Sequence, residues 1–322
     1  MERHLLSGLD DAPALVPASV VTIGVFDGVH LGHQTILDRL VDIARERGLP
    51  SVCVTFSVHP REVLAGEAPH SILSLEHRLE LLERRGVDHA VVVEFSRAFA
   101  AVDAETFVDR LLVRALGVRE LVLGHDTTVG RDRRGDAAFL TDAGRRHGFG
   151  VVTVGGVTVD GAVVSSSRVR AAISSGDIDT ARRLLGRPPS LLGTVVHGDG
   201  RGATIGFPTA NLEVHSEAFP PYGVYAVTAR CLPGDPAGAP VDLPAVMNFG
   251  TRPTFHQDDT HAVFEIHVLD RDDLQLYDQR MEVFLHAFLR RERRFDGVDD
   301  LVAQIGRDCT AAREIERTLP EG

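Results

Sequence analysis

The sequence predicts two domains: an α/β unit built on a parallel sheet, then an antiparallel β barrel or sandwich that ends in one helix. Three observations carry this reading. The chain runs to 322 residues, more than one ordinary domain holds. In the first half, uniformly apolar β-branched runs alternate with stretches of helical periodicity, as in a parallel sheet covered on both faces. In the second half, β-rich runs succeed one another through Gly and Pro turns. The pattern changes at the stiff connector Gly186-Arg187-Pro188-Pro189-Ser190, which sets the expected domains at 1–186 and 187–322.

In chain order, strands are expected over Val20–Val25, Ser51–Phe56, His89–Val93, Leu121–Leu123 and Val151–Val154. Between the first two, Ile36, Leu37, Leu40, Val41 and Ala44 fall on one face of a helix. Further helices are expected over Ser74–Arg85 and Asp103–Leu116, the second stopped by Gly117. Beyond the connector, strands are expected over Leu191–His197, Val224–Arg230, Val241–Asn248, Ala262–Leu269 and Met281–Phe288, with a loop over Leu232–Pro240. The spacing of Leu301, Ile305, Cys309, Ala312 and Ile315 predicts a closing helix from Val298 to Arg317.

Composition narrows the function classes. Hydrophobic residues make up 43% and charged residues 25%, enough apolar material for two cores. No apolar run reaches the ~20 residues of a membrane span, and the acidic, proline-containing start does not read as a signal peptide. A cytoplasmic protein without membrane partners is expected. Cys53, Cys231 and Cys309 stand apart with no C-x-x-C pair and read as small buried residues, which argues against a disulfide framework or a zinc site. The net charge of −12 disfavours a nucleic-acid partner. A small phosphate ligand stays open, because local backbone donors can hold it.

The first constellation is Gly24-Val25-Phe26-Asp27-Gly28-Val29-His30-Leu31-Gly32-His33. It follows a buried strand and opens a helix, where free N–H groups and the positive dipole end suit phosphate. Gly28 and Gly32 allow close backbone approach, and His30 and His33, three apart, can face the same phosphates. A lone H-x-x-H is more often one helix cap and one surface residue. The strand, the glycines and the helix together favour a site.

This run resembles the G-x-F-D-G-V-H-x-G-H nucleotidyltransferase signature of the bacterial bifunctional FAD synthetases. The resemblance implies that His30 and His33 hold ATP phosphates while an FMN phosphate attacks the α-phosphorus, with Gly24 and Phe26 lining the nucleotide. Thr55-Phe56-Ser57-Val58-His59-Pro60 is similar to the family's T-F-x-P-H-P, with Val58 in place of its first proline, and puts His59 at the flavin. Val164-Ser165-Ser166-Ser167-Arg168-Val169-Arg170 is similar to its S-S-[ST]-x-[IV]-R segment, which assigns Ser166 and Arg170 to ATP and leaves Arg168 aside. Taken alone, Ser165–Ser167 reads as an N-cap.

One segment departs from the pattern. Where the family carries G-x-[DN]-F-x-F-G, this chain has Gly124-His125-Asp126-Thr127-Thr128-Val129-Gly130. Asp126 is retained and is expected to hydrogen-bond the flavin, or to be a plain turn residue. Losing the second aromatic costs on the order of 0.5–1.5 kcal/mol, threefold to tenfold in flavin affinity.

The second constellation runs Gly193-Thr194-Val195-Val196-His197-Gly198-Asp199-Gly200-Arg201-Gly202-Ala203-Thr204-Ile205-Gly206-Phe207-Pro208-Thr209-Ala210-Asn211. Its glycines are either ordinary β-turns or a wrap of backbone N–H groups around phosphates. It is not a P-loop, since no lysine follows. The stretch resembles the riboflavin kinase signature G-x-V-x-H-G-x-x-x-G-x-x-x-G-F-P-T-A-N. That implies ATP binding by Gly193, His197, Gly198, Gly202, Gly206, Pro208, Thr209 and Asn211, with Thr209 and Asn211 organising Mg²⁺. Phe264-Glu265-Ile266-His267-Val268-Leu269-Asp270 resembles the family's V-E-x-H-x-x-D, which makes Glu265 the general base on the riboflavin 5′-hydroxyl. Alternation puts Glu265 and His267 on one face. Pro221–Tyr225, Met247–Phe255 and the C-terminal Leu289–Phe295 and Gln304–Asp308 are further segments similar to the family; Arg290 contacts ligand, pairs with Glu292 or reaches the final helix.

The resemblance extends from Val20 to Ile315 in family order. It implies a Rossmann-like nucleotidyltransferase domain followed by a riboflavin kinase-like antiparallel β-barrel with a C-terminal helix. The expected partners are riboflavin, FMN, FAD and ATP, the expected cofactor Mg²⁺, and the expected state a monomer or weak homo-oligomer. Three alternatives stay open: a kinase with a degenerate adenylyltransferase domain, an adenylyltransferase for another phosphate ester, and a non-catalytic flavin sensor.

Overall fold

The computed structural model describes residues 1–9, 13–66, 68–198, 201–216, 218–232, 240–253, 260–271 and 276–319. Residues 233–239 of the expected loop, and Asp199, Gly200, Thr254 and Phe255 of the quoted segments, lie outside them. The chain divides into two compact units, Met1–Ser166 and Ser167–Gly322.

The first unit is built on six parallel strands: β1 (Glu2–Leu6), β2 (Ser19–Ile23), β3 (Ser51–Phe56), β4 (His89–Val93), β5 (Val118–Gly124) and β6 (Gly150–Val154), in the order β1-β4-β3-β2-β5-β6. The central strands β2 and β3 are apolar because both faces are covered, and every residue of β2 is buried. From β2 the chain builds outward to β3 and β4 on one side and to β5 and β6 on the other. The crevice beyond the carboxyl ends of β2 and β5 is therefore a topological switch point.

The first expected strand ends two residues early, at Ile23, since the chain turns there into the Gly24–His30 loop. The helix Leu31–Arg47 buries Gln34, Leu37, Leu40, Ile43 and Ala44, so Ile36 and Val41 flank its contact stripe instead of centring it. Ser74 and Asp103 are N-caps of the next two helices. The second changes hand-over from α (Ala104–Phe107) to a π segment (Val108–Ala115) before Gly117. There φ is +54°, and a Cβ would lie 2.2 Å from the Pro17 carbonyl oxygen, so only glycine fits.

Two short strands, β7 (Thr158–Val159) and β8 (Ala162–Val163), form a hairpin. The helices Ser166–Ser175 and Ile178–Leu185 follow. Ile178 enters the core of the second unit, and Arg182 Nη2 donates to the His286 carbonyl at 3.2 Å. Packing therefore joins the second of these helices to the barrel, and the spatial division falls at Ser166, upstream of the Gly186–Ser190 connector.

The second unit is a closed barrel of β9 (Ser190–Val196), β10 (Ala210–Val214), β11 (Gly223–Leu232), β12 (Val241–Pro253), β13 (Thr260–Val268) and β14 (Arg280–Arg290), ordered β10-β13-β12-β11-β14-β9. This settles the barrel-or-sandwich choice for the barrel. Its interior is filled by alternate residues, among them Leu212, Tyr225, Met247, Phe249, Phe264, Ile266 and Val283. The helix Val298–Glu316 lays Cys309 and Ala312 on the outer face of β11 and β12, against Val224, Ala226 and Val246.

Candidate functional sites

In the first unit, the Gly24–His33 loop is held in an unusual backbone. Phe26 (φ +53°) and Val29 (φ +40°) adopt the left-handed region although neither is glycine, and both are buried. Such strain persists only where the surroundings over-determine it, and it clusters at ligand sites. The restraints are visible. Asp27 Oδ1 accepts from the backbone N–H of Ile72 (3.0 Å) and Leu73 (3.2 Å). Gln34 Nε2 donates to the Val29 carbonyl at 2.8 Å, and Ser166 Oγ donates to the Asp27 carbonyl at 2.9 Å. Ser166 thus ties the start of its helix to the loop, and Arg170 lies one turn further along that helix.

His30 caps the helix Leu31–Arg47, its Nδ1 accepting from the His33 N–H at 3.3 Å. The two imidazoles stack with centroids 3.7 Å apart, and the Phe26 ring meets His33 edge-on at 5.2 Å. A side chain at Gly32 would sit 3.2 Å from the His30 ring, and one at Gly24 3.0 Å from the Phe26 ring. Burial, then the neighbouring His30 and Arg78, push the His33 imidazole well below its ordinary value. His33 Nδ1 is buried with no hydrogen-bond partner, an orphan acceptor or donor of the kind that a ligand satisfies.

Arg78 is a residue that sequence reasoning missed. It is buried, donating to the Val25 carbonyl (2.7 Å) and the Phe56 carbonyl (2.6 Å) at the ends of β2 and β3. Its signal was an arginine on the apolar stripe Leu75-Arg78-Leu79-Leu82.

His59 follows β3 and caps the helix Pro60–Ala65, accepting from the Arg61 N–H at 3.2 Å. Asp126 follows β5 and is exposed. Parallel topology brings both to the same carboxyl end of the sheet as His30. Val129, at the position of the family's second aromatic, belongs to the hydrophobic core and exchanges backbone hydrogen bonds of 2.9 Å with Gly135.

In the second unit, strand register assembles the site. Asn211 on β10 stands opposite Glu265 on β13, and Glu265 stands opposite Asn248 on β12. Directly opposed residues share a face, so the three polar side chains form a row on the outside of the barrel. Asn248 was not singled out by sequence reasoning, although a polar residue between buried Met247 and Phe249 marked it. His267 lies two residues on, its Nδ1 2.8 Å from the Pro208 carbonyl and its ring edge-on to Phe207.

The glycines of the signature are explained by contact. A Cβ at Gly198 would fall 1.9 Å from Asn211 Nδ2, at Gly202 2.3 Å from the Phe207 carbonyl oxygen, and at Gly193 2.3 Å from the Glu213 carbonyl oxygen. Gly206 takes φ +86°, a glycine turn. Thr209 lines a cavity of about 110 Å³ with Pro208, Arg271 and Tyr277, and the Tyr277 ring stacks on His197 at 3.9 Å. Arg290 reaches the final helix: Asp308 accepts from its Nη2 at 2.8 Å and its Nε at 3.0 Å.

The comparisons with known proteins match this division. A family model described as FAD synthetase matches residues 13–168, and one described as riboflavin kinase matches residues 185–316. A bifunctional riboflavin kinase/FMN adenylyltransferase of Escherichia coli K12 is 40% identical over 296 residues, 92% of each chain. One of Pseudomonas fluorescens is 40% identical over 97% of each chain. A crystal structure described as a macrolide-efflux protein of Streptococcus pneumoniae superposes with a TM-score of 0.82 at 31% identity, covering 99% of this chain and 100% of that one. Among the described residues no helix is long and apolar enough to cross a membrane. On identity sustained through nearly its whole length, and with both domain models in order, the chain belongs to the family of bifunctional riboflavin kinases/FMN adenylyltransferases.

Proposed function

We propose that this protein phosphorylates riboflavin at its 5′-hydroxyl to give FMN and then transfers AMP from ATP to FMN to give FAD, each reaction in its own unit. The observation that carries the reading is the cross-strand row Asn211–Glu265–Asn248, set beside Gly198 and Thr209, in a chain that also carries the paired imidazoles of His30 and His33.

In the kinase unit, Glu265 accepts the proton of the riboflavin hydroxyl as its oxygen attacks the γ-phosphorus of ATP, and ADP leaves. Asn211 and Asn248 stand beside that glutamate on the neighbouring strands. Gly193, His197, Gly198, Gly202, Gly206 and Pro208 shape the nucleotide loop. Thr209 and Asn211 offer hard oxygens next to a glycine-lined cradle, a donor set suited to Mg²⁺ and not to a soft metal. When bound, Mg²⁺ neutralises charge on the triphosphate.

In the adenylyltransferase unit, a phosphate oxygen of FMN attacks the α-phosphorus of ATP, and pyrophosphate leaves. His30 and His33 stabilise the charge that develops there, with Gly24 and Phe26 shaping the nucleotide pocket and Ser166 and Arg170 assigned to ATP. Arg78 adds a fixed positive charge beneath the loop. His59 and Asp126 take the flavin side. Burial of Val129 in the core supports a loop that keeps its shape without the family's second aromatic. The functional domains are placed at 1–186 and 187–322, in a cytoplasmic protein that acts as a monomer or weak homo-oligomer without nucleic-acid or membrane partners.

The test is to incubate the full chain with riboflavin, ATP and Mg²⁺ and to separate the flavins. FMN followed by FAD is expected. FMN alone points to a degenerate adenylyltransferase, and unchanged riboflavin overturns the proposal.

A further inference from the structure

The edge of the parallel sheet carries a cluster that neither reaction uses. Glu2 and His4 lie two residues apart on β1, and His89 begins the neighbouring strand β4, paired in register with Glu2. Alternation along β1 puts Glu2, His4 and the buried Leu6 on one face, so the packing of Leu6 fixes which way the other two project. His4 Nε2 lies 3.2 Å from His89 Nδ1, and the Glu2 carboxylate oxygen lies 3.4 Å from His89 Nδ1 and 3.8 Å from His4 Nε2. The candidate donor atoms all fall within 4.8 Å of one another.

We propose that Glu2, His4 and His89 form a binding site for a zinc-class divalent cation on the edge of the first unit. The spacing of the donor atoms matches that in a metal's coordination shell. Zinc–nitrogen and zinc–oxygen bonds of ~2.0–2.2 Å in a tetrahedron put neighbouring ligand atoms ~3.3–3.5 Å apart. The observed triangle of 3.2, 3.4 and 3.8 Å is one face of such a tetrahedron within a few tenths of an ångström, leaving the fourth corner to water. The donors also suit the ion: two imidazoles and a carboxylate favour zinc, cobalt or nickel over magnesium. They stand on two hydrogen-bonded strands, so most of the ordering cost is met by the fold. The nearby Arg3 guanidinium is turned to Glu83, 3.3 Å away, and does not compete for the Glu2 carboxylate.

The bland account of the same atoms is a direct imidazole–imidazole hydrogen bond at 3.2 Å, with Glu2 a solvated edge residue. Carboxylate–imidazole ion pairing would draw Glu2 as close to either ring, so the two accounts part on whether a metal binds. A bound ion accounts for all three sides. Its effect is to clasp the polar edge strand β1 to β4, where backbone pairing on one side alone would otherwise hold it.

Titration of the full chain with Co²⁺, free of nucleotide and Mg²⁺, tests the proposal. A visible d–d absorption band saturating at one equivalent, removed by Zn²⁺, is expected, together with a higher melting temperature in Zn²⁺. The double variant His4→Gln/His89→Gln should lose both the band and the Zn²⁺-dependent rise. Should it fail to fold, the exposed Glu2→Gln variant serves, with a weakened and shifted band expected. A wild-type chain without the band, a double variant that retains it, or a Glu2→Gln band unchanged in position and midpoint overturns the site.

Discussion

The two candidate sites are built by opposite means. Around His30 and His33, functional groups sit on a loop at the end of β2, and their positions come from caps, a strained backbone and the buried anchors Asp27, Gln34 and Arg78. Around Glu265, they sit on regular strands, and ladder register sets which residues stand side by side. A loop site can be re-aimed by one altered anchor. A register site is as stiff as the barrel, and its weak points are the glycines that let a neighbouring segment close on it.

The strongest way to break this comparison is Glu265→Gln. FMN formation should fall by ~10²–10⁴-fold, the usual worth of a positioned general base, with conversion of FMN to FAD retained. Equal loss of both reactions would mean that the sites are not separate. His30→Ala should do the reverse, lowering FAD synthesis by about 10²–10³-fold while riboflavin phosphorylation persists. Because His30 also caps its helix, His30→Asn, which keeps a capping side chain, distinguishes lost chemistry from a lost cap.

Gly198→Ala sharpens the contrast. Its Cβ would fall 1.9 Å from Asn211 Nδ2, so the loop or the asparagine must yield at an overpacking cost of about 1–3 kcal/mol. The riboflavin kinase KM for ATP should rise by ~tenfold or more, and the melting temperature should fall by several degrees. Val129→Phe should restore a family aromatic without restoring flavin affinity. The residue is packed in the core beside Gly135, where a Cβ would already meet Val129 at 2.5 Å, and the expected result is lower stability with KM for FMN unchanged.

The smallest effect is on acid stability. Burial and the nearby Arg182 hold His286 at about 4, below the ordinary histidine value, and its Nε2 lies 2.8 Å from Thr228 Oγ1. The unfolded chain therefore binds a proton that the folded chain refuses, so stability is full above pH ~6.5 and is lost as pH falls towards about 4. Denaturant midpoints measured between these values should decline, and His286→Gln should flatten the decline.

The legible parts of the molecule are those where burial and sequence agree. Ser51–Phe56 and His89–Val93 form strands as their apolar runs predict, because central strands buried on both faces need no polar residues. β1 gave no such signal: an edge strand leaves Glu2, Arg3 and His4 in or near water, so its composition resembles a loop. β10 was hidden in the motif Pro208-Thr209-Ala210-Asn211, read for chemistry and not for pairing. Among the candidate site residues, His30, Thr209 and Asn211 could be proposed from short motifs, since their spacing is local. Arg78 and Asn248 escaped because their roles depend on strands distant in sequence, Arg78 through β2 and β3 and Asn248 through β13.

The outward row on the barrel ties competence to correct assembly. Sliding β13 by one residue against β10 would turn the Glu265 carboxylate into the apolar interior and expel Phe264 and Ile266 into water. A mis-threaded barrel would thus lose the proposed base and expose apolar side chains in the same step.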